Sequence, residues 1–259
     1  MGHYRLDRLP RTRRWKQVIA LLDAGEPVEE LAQAAFRAAQ TGLSRVPQDP
    51  GFTHTLTVIF SFVDALQSKD PLADLRKNGF DVGDGSSLFD FVGGFRMRAE
   101  DAAVAARARS DIAELARDSF AQVLMKSAGS SLQTLFGVES ADARRALQSN
   151  LKGKPLGSTM HEFFATFTQR YLNYYLGREL PYHVGQGMSF SSVDKHSEFN
   201  QAFDLYVRQT VRIADEFTPG WFGKARWEER LTHKDVSGFA HVAFKKIGSE
   251  FQRGTEVSG

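Results

Sequence analysis

Three places in this chain hold residue types that do chemistry in other proteins, and each lacks a necessary partner. His161 and Glu162 begin the order of a zinc-protease helix, where two histidines four apart hold the metal and the glutamate takes a proton from water. Position 165 is Ala, so the second ligand is missing. Thr159 and Glu162 instead have the spacing of a capping box, which accounts for the glutamate without metal. The segment GFDVGDGSS (79–87) offers Asp81, Asp84 and several glycines. A calcium loop would close on a glutamate at position 92, which is Val, and a phosphate loop would follow its last glycine with lysine, where Ser86 stands. Ser189 lies in Gly187-Met188-Ser189-Phe190-Ser191, which departs at its last position from the G-x-S-x-G elbow of serine hydrolases. The residues call for no metal and no cofactor.

Two arginine–histidine spacings remain, Arg178 to His183 (RELPYH) and Arg226 to His233 (RWEERLTH). They resemble the arginine–histidine motif of HEPN ribonucleases, an all-helical class. The resemblance spans only these six to eight residues, and it implies metal-independent RNA cleavage with the paired arginine and histidine at the centre. Pro181 falls inside the first match, where the family has helix.

Binding chemistry is better represented. Residues 5–16, RLDRLPRTRRWK, collect Arg5, Arg8, Arg11, Arg13, Arg14 and Lys16 against the single anion Asp7, while the rest of the chain is slightly acidic. Arg8, Arg11, Arg13, Arg14 and Lys16 are therefore candidate contacts for an acidic partner or for nucleic-acid phosphate. No zinc finger, RRM core or helix-turn-helix accompanies them. Tyr174, Tyr175, Tyr182, His183, Trp221, Phe222 and Trp227 form a second candidate set, a protein interface, because tryptophan and tyrosine anchor such contacts.

The elements that must position these residues read as helices almost throughout. Met160, Phe163, Phe164, Phe167, Tyr171, Tyr174 and Tyr175 recur at three- and four-residue steps, a wide aromatic face that something must cover. Trp15, Val18, Ile19 and Leu22 make a short stripe stopped by Gly25, and Pro27 opens the next helix. Pro47 and Pro50 bracket a turn ahead of the stripe Leu56, Ile59, Phe60, Val63 and Leu66. Ser87 and Asp90 fit a capping pair, and the alanine-rich stretch Ala99–Ala128 has high helical propensity. Phe199, Phe203, Tyr206, Thr210, Ile213 and Phe217 trace one long helix that Pro219 and Gly220 should end. Thr232 and Asp235 cap the last helix. Period-two alternation is absent, as are Asn-Gly hairpins. The expectation is an all-α fold, an irregular bundle of roughly eight to ten helices.

The expected organisation is a basic N-terminal arm (1–16), a main helical domain (17–182), a mobile loop (183–194), a C-terminal helical layer packed on the main domain (195–253) and a disordered tail (254–259). With 259 residues, no cysteine and no long apolar run, the chain reads as cytoplasmic, without disulfides, thiolate metal sites or a membrane span. The functional expectation is a non-catalytic adaptor or subunit of a larger bacterial assembly, with another protein as partner and self-association compatible with the composition. A nucleic-acid-binding accessory protein acting through the basic arm is one alternative, and a HEPN-like ribonuclease is the other.

Overall fold

The computed structural model of the protein describes residues 12–131, 140–179 and 193–256. Among them are eleven α-helices and no β-strand, so the all-α expectation holds and the helix count is one above the expected range. The helices are α1 (Arg13–Ala24), α2 (Val28–Leu43), α3 (Pro50–Leu66), α4 (Pro71–Lys77), α5 (Leu88–Ala105), α6 (Asp111–Ser131), α7 (Ser140–Asn150), α8 (Lys154–Glu179), α9 (Val193–Thr210), α10 (Ile213–Trp227) and α11 (His233–Glu256). A single 3₁₀ turn, Val46–Gln48, joins α2 to α3.

Most helix ends follow local chemistry. Gly25 ends α1 in the left-handed conformation (φ 68°), where its N–H reaches back to the carbonyls of Leu21 and Leu22. Asp49 caps α3 by accepting from the Phe52 N–H at 2.7 Å. Ser87 and Asp90 close the reciprocal capping box at the start of α5, and Asp235 N–H donates to Thr232 Oγ1 at the start of α11.

Three expectations need correction. The alanine-rich stretch is two helices, because Arg107 adopts φ 53° and Ser110 caps a new start by accepting from the Ala113 N–H at 3.0 Å. The expected long helix through Phe217 breaks instead at residues 211–212, and Pro219 lies inside α10. Thr159 is no cap: α8 has already begun at Lys154, with Pro155 in its first turn, where a missing N–H costs nothing. The Thr159 hydroxyl donates to the Asn150 carbonyl at 2.9 Å, tying α8 to the end of α7.

Two helices organise the interior. α3 is apolar nearly all round, with Phe52, Leu56, Ile59, Phe60, Phe62, Val63 and Leu66 all fully buried. α8 lies against α6, α9 and α10, and its aromatic face is covered by this chain's own helices. Phe167 meets Phe52 of α3 at 5.1 Å between ring centroids and Phe244 of α11 at 5.9 Å. Phe163 faces Phe120 of α6, and Phe164 faces Phe239 and Phe244 of α11. One contiguous core runs from Trp15 to Phe251.

Candidate functional site

Several groups with shifted protonation cap a helix or tie two helices together. Burial pushes the Asp49 carboxyl up in pKa, partly offset by the Phe52 N–H and by the Ser110 hydroxyl, which donates at 2.9 Å. Glu162 of α8 is also raised by burial, but the Arg208 guanidinium of α9 and the Lys126 ammonium of α6 outweigh that, leaving it below the ordinary carboxylate value. His161 Nε2 hydrogen-bonds the Arg208 carbonyl at 2.7 Å. The His161–Glu162 pair therefore clamps α8 to α9. A carboxylate held ionised by two cations is a weak proton acceptor at neutral pH, so Glu162 is poorly suited to general-base work. Asp204 is raised by burial, against a hydrogen bond from Gln169 and the charge of Arg208. Among the described residues no group of three or more histidine, aspartate or glutamate side chains could hold a metal ion.

The ribonuclease-like spacings divide. Arg178 to His183 lies outside the residues whose side chains are described. Arg226, on α10, is committed to the C-terminal end of α3: its Nε is 2.6 Å from Asp64 Oδ1, and its Nη2 donates to the Gln67 carbonyl at 3.1 Å. His233 opens the next helix and lies against His54 of α3, with ring centroids 4.3 Å apart.

The candidate interface residues are dispersed in the same way. Tyr175 and Phe222 belong to the core, exposed by only 7% and 3%. Tyr174 is half-buried, and half-buried Trp221 packs on Phe239 at 4.3 Å. Trp227 is 88% exposed at the last position of α10, beside a groove of about 700 Å³ that also touches Leu156 and Phe222. Tyr182 and His183 lie outside the described residues, as do Arg8 and Arg11. Arg13, Arg14 and Lys16 are exposed in the first turn of α1.

A second exposed apolar set, not singled out from the sequence, lies on α5. Phe89, Met97 and Val104 are 70%, 54% and 50% exposed. At about 100° per residue they fall within an arc of roughly 80°. Gly93 lies within the same stripe, with open space above it. The opposite face of α5 is the buried one, carrying Leu88, Phe91, Val92, Phe95, Ala99 and Ala103. The signal was present in the sequence: α5 carries apolar residues on two faces, and a single core needs only one.

An arginine-lined cleft of about 590 Å³ opens where α1, α2 and α8 meet. Arg13 and Arg14 come from α1 and Arg45 from the turn after α2, while Tyr171 and Tyr175 come from α8. No described helix is long and apolar enough to cross a membrane. No protein family, no curated protein and no solved structure matches this chain.

Proposed function

We propose that this protein is a non-catalytic binding subunit of a larger bacterial cytoplasmic assembly, and that α5 is its docking helix. The observation that supports this most directly is the second apolar stripe of α5. Phenylalanine, methionine and valine are each at least half exposed on one side of a helix whose other side is fully used by the core. Exposed apolar residues scattered singly are ordinary, whereas three aligned on one helix face make a surface that gains by being covered. Trp227 offers a separate anchor of the type that dominates binding energy at interfaces. Asp49 and Asp90 serve as helix caps and Glu162 as an interhelical tie, which favours binding over catalysis.

The test replaces Phe89 and Val104 with serine in the native host and compares what remains associated with the purified protein, together with its molar mass by light scattering. The variant should melt with the parent, because both side chains already face solvent, and should lose its bound protein or its self-association. Unchanged association at unchanged stability would remove α5 from the reading.

A further inference from the structure

We infer that the cleft between α1, α2 and α8 is a binding site for a phosphate monoester. It lies near the C-terminal end of α8, about 22 Å along that helix from the Trp227 groove at Leu156, and does not rest on the docking role of α5.

Three arginines line it from two separate parts of the chain: Arg13 and Arg14 in the first turn of α1, and Arg45 beyond the end of α2. None of the described residues lining the cleft is a carboxylate. Among the described residues, neither Arg13 nor Arg45 is paired with an acid, so their charge is available. Arg14 is held in place by donating from Nη1 to the Arg37 carbonyl at 3.1 Å, which fixes the α1–α2 pair and leaves its other N–H groups open. The first turn of α1 carries no acidic residue, so the positive end of that helix adds to the guanidinium charge. A cluster of like charges brought together by tertiary structure repels itself until an anion enters, and arginine forks match phosphate oxygens in geometry.

The floor specifies more than charge. Ala38, Ala39 and Gly42 give the cleft a low wall on α2. Tyr171 presses its hydroxyl against Gly42 so closely that a Cβ there would fall 2.1 Å from it. Burial pushes the Tyr171 phenol well above its ordinary pKa, with Tyr175 adding to the effect through its charge and a hydrogen bond and Arg45 opposing it, so the hydroxyl is a protonated part of the floor that is already tied to Tyr175. Trp15 and Tyr175 pack at 5.3 Å behind it. A rim of arginines over a small, partly aromatic chamber suits a phosphate carried on a compact organic body, and the volume lies within the usual range for small-ligand sites.

The test is titration calorimetry of the purified full chain at low salt with adenosine 5′-monophosphate, adenosine and inorganic phosphate. Adenosine monophosphate should bind, inorganic phosphate should compete with it, adenosine should give no heat, and the affinity should fall as salt rises. Arg13→Gln with Arg45→Gln should weaken binding by about tenfold or more, since each hydrogen bond to a charged group counts heavily. Its melting temperature should stay that of the parent. A single-stranded oligonucleotide with a 5′-phosphate, compared with its 5′-hydroxyl twin, separates a free ester from the end of a strand: preference for the phosphorylated form supports the site and names a strand end as its source. The inference fails if neither adenosine monophosphate nor phosphate binds at millimolar concentration, or if adenosine binds equally well. It fails too if the double variant binds like the parent, whereas oligonucleotides that bind alike while adenosine monophosphate still binds support the site and name a free ester as its source.

Discussion

Gly157 of α8 lies against the backbone of Asp215 of α10: a Cβ on Gly157 would fall 2.5 Å from both the main-chain oxygen and Oδ1 of Asp215. Asp215 is also the residue whose carbonyl would normally accept from position 219, and Pro219 has no N–H to offer. The proline therefore sits inside α10 where the helix presents a carbonyl to a glycine on its neighbour. That closeness brings the start of α8 directly against α10. Pro219 would also meet a Gly157 side chain, at 3.0 Å from its Cγ.

Gly157→Ala should consequently destabilise the protein by about 1–3 kcal/mol, since overpacking outweighs the gain of roughly 1 kcal/mol in helix propensity. Gly238→Ala on α11, where nothing lies within 4 Å of the added carbon, is the matched control and should stabilise slightly. Denaturant midpoints of the two variants check this. Equal shifts would show that the α8–α10 contact is looser than described.

Phe167→Ala should cost about 3–5 kcal/mol, because the ring is fully buried between Phe52 and Phe244 and its removal leaves a cavity. That is a large share of a typical domain's stability. A variant that melted like the parent while losing a bound partner would mean that this ring faces outward.

Thr168→Val should hold or raise stability, by up to about 1 kcal/mol. Thr168 is fully buried, and its hydroxyl has no hydrogen-bond partner among the described residues. Valine matches its shape while removing a desolvated polar atom. Thermal unfolding decides the matter, and a clear loss would show that the hydroxyl is satisfied.

Much of the fold was legible because many of its determinants are local. Gly25, Asp49, Ser87 with Asp90, and Thr232 with Asp235 act within a few residues of themselves, and the stripes on α1, α3 and α11 have the helical period. The misreadings came from partners far away in sequence. Glu162 looked like half of a capping box, yet it answers to Arg208, 46 positions later. Pro219 looked like a helix stop, yet Gly157 on another helix accommodates the carbonyl it leaves free. The arginine cleft was half visible: Arg13 and Arg14 belong to the basic arm, but nothing in their spacing points to Arg45. The α5 stripe was legible too, since Phe89, Met97 and Val104 share one side of the helix while Phe91, Phe95 and Ala99 share another.

Burial lowers the His54 pKa from its ordinary value of 6.5, and the neighbouring His233 lowers it further. The folded protein therefore binds a proton at His54 less readily than the unfolded chain does. Its contribution to stability is complete above about pH 6.5 and is lost as pH falls through the folded-state value below that. Replacing His54 with glutamine, which does not titrate, should flatten the decline in melting temperature as pH is lowered from neutrality into the mildly acidic range. Glu162 declines in its own lower window: its depressed pKa makes the Arg208 tie fully effective above the ordinary carboxylate value of 4.5 and weakens it below. Melting curves of the parent and the His54→Gln variant, taken across both windows, should diverge in the upper one and run parallel in the lower. Parallel curves throughout would show that the His54–His233 contact does not couple protonation to folding.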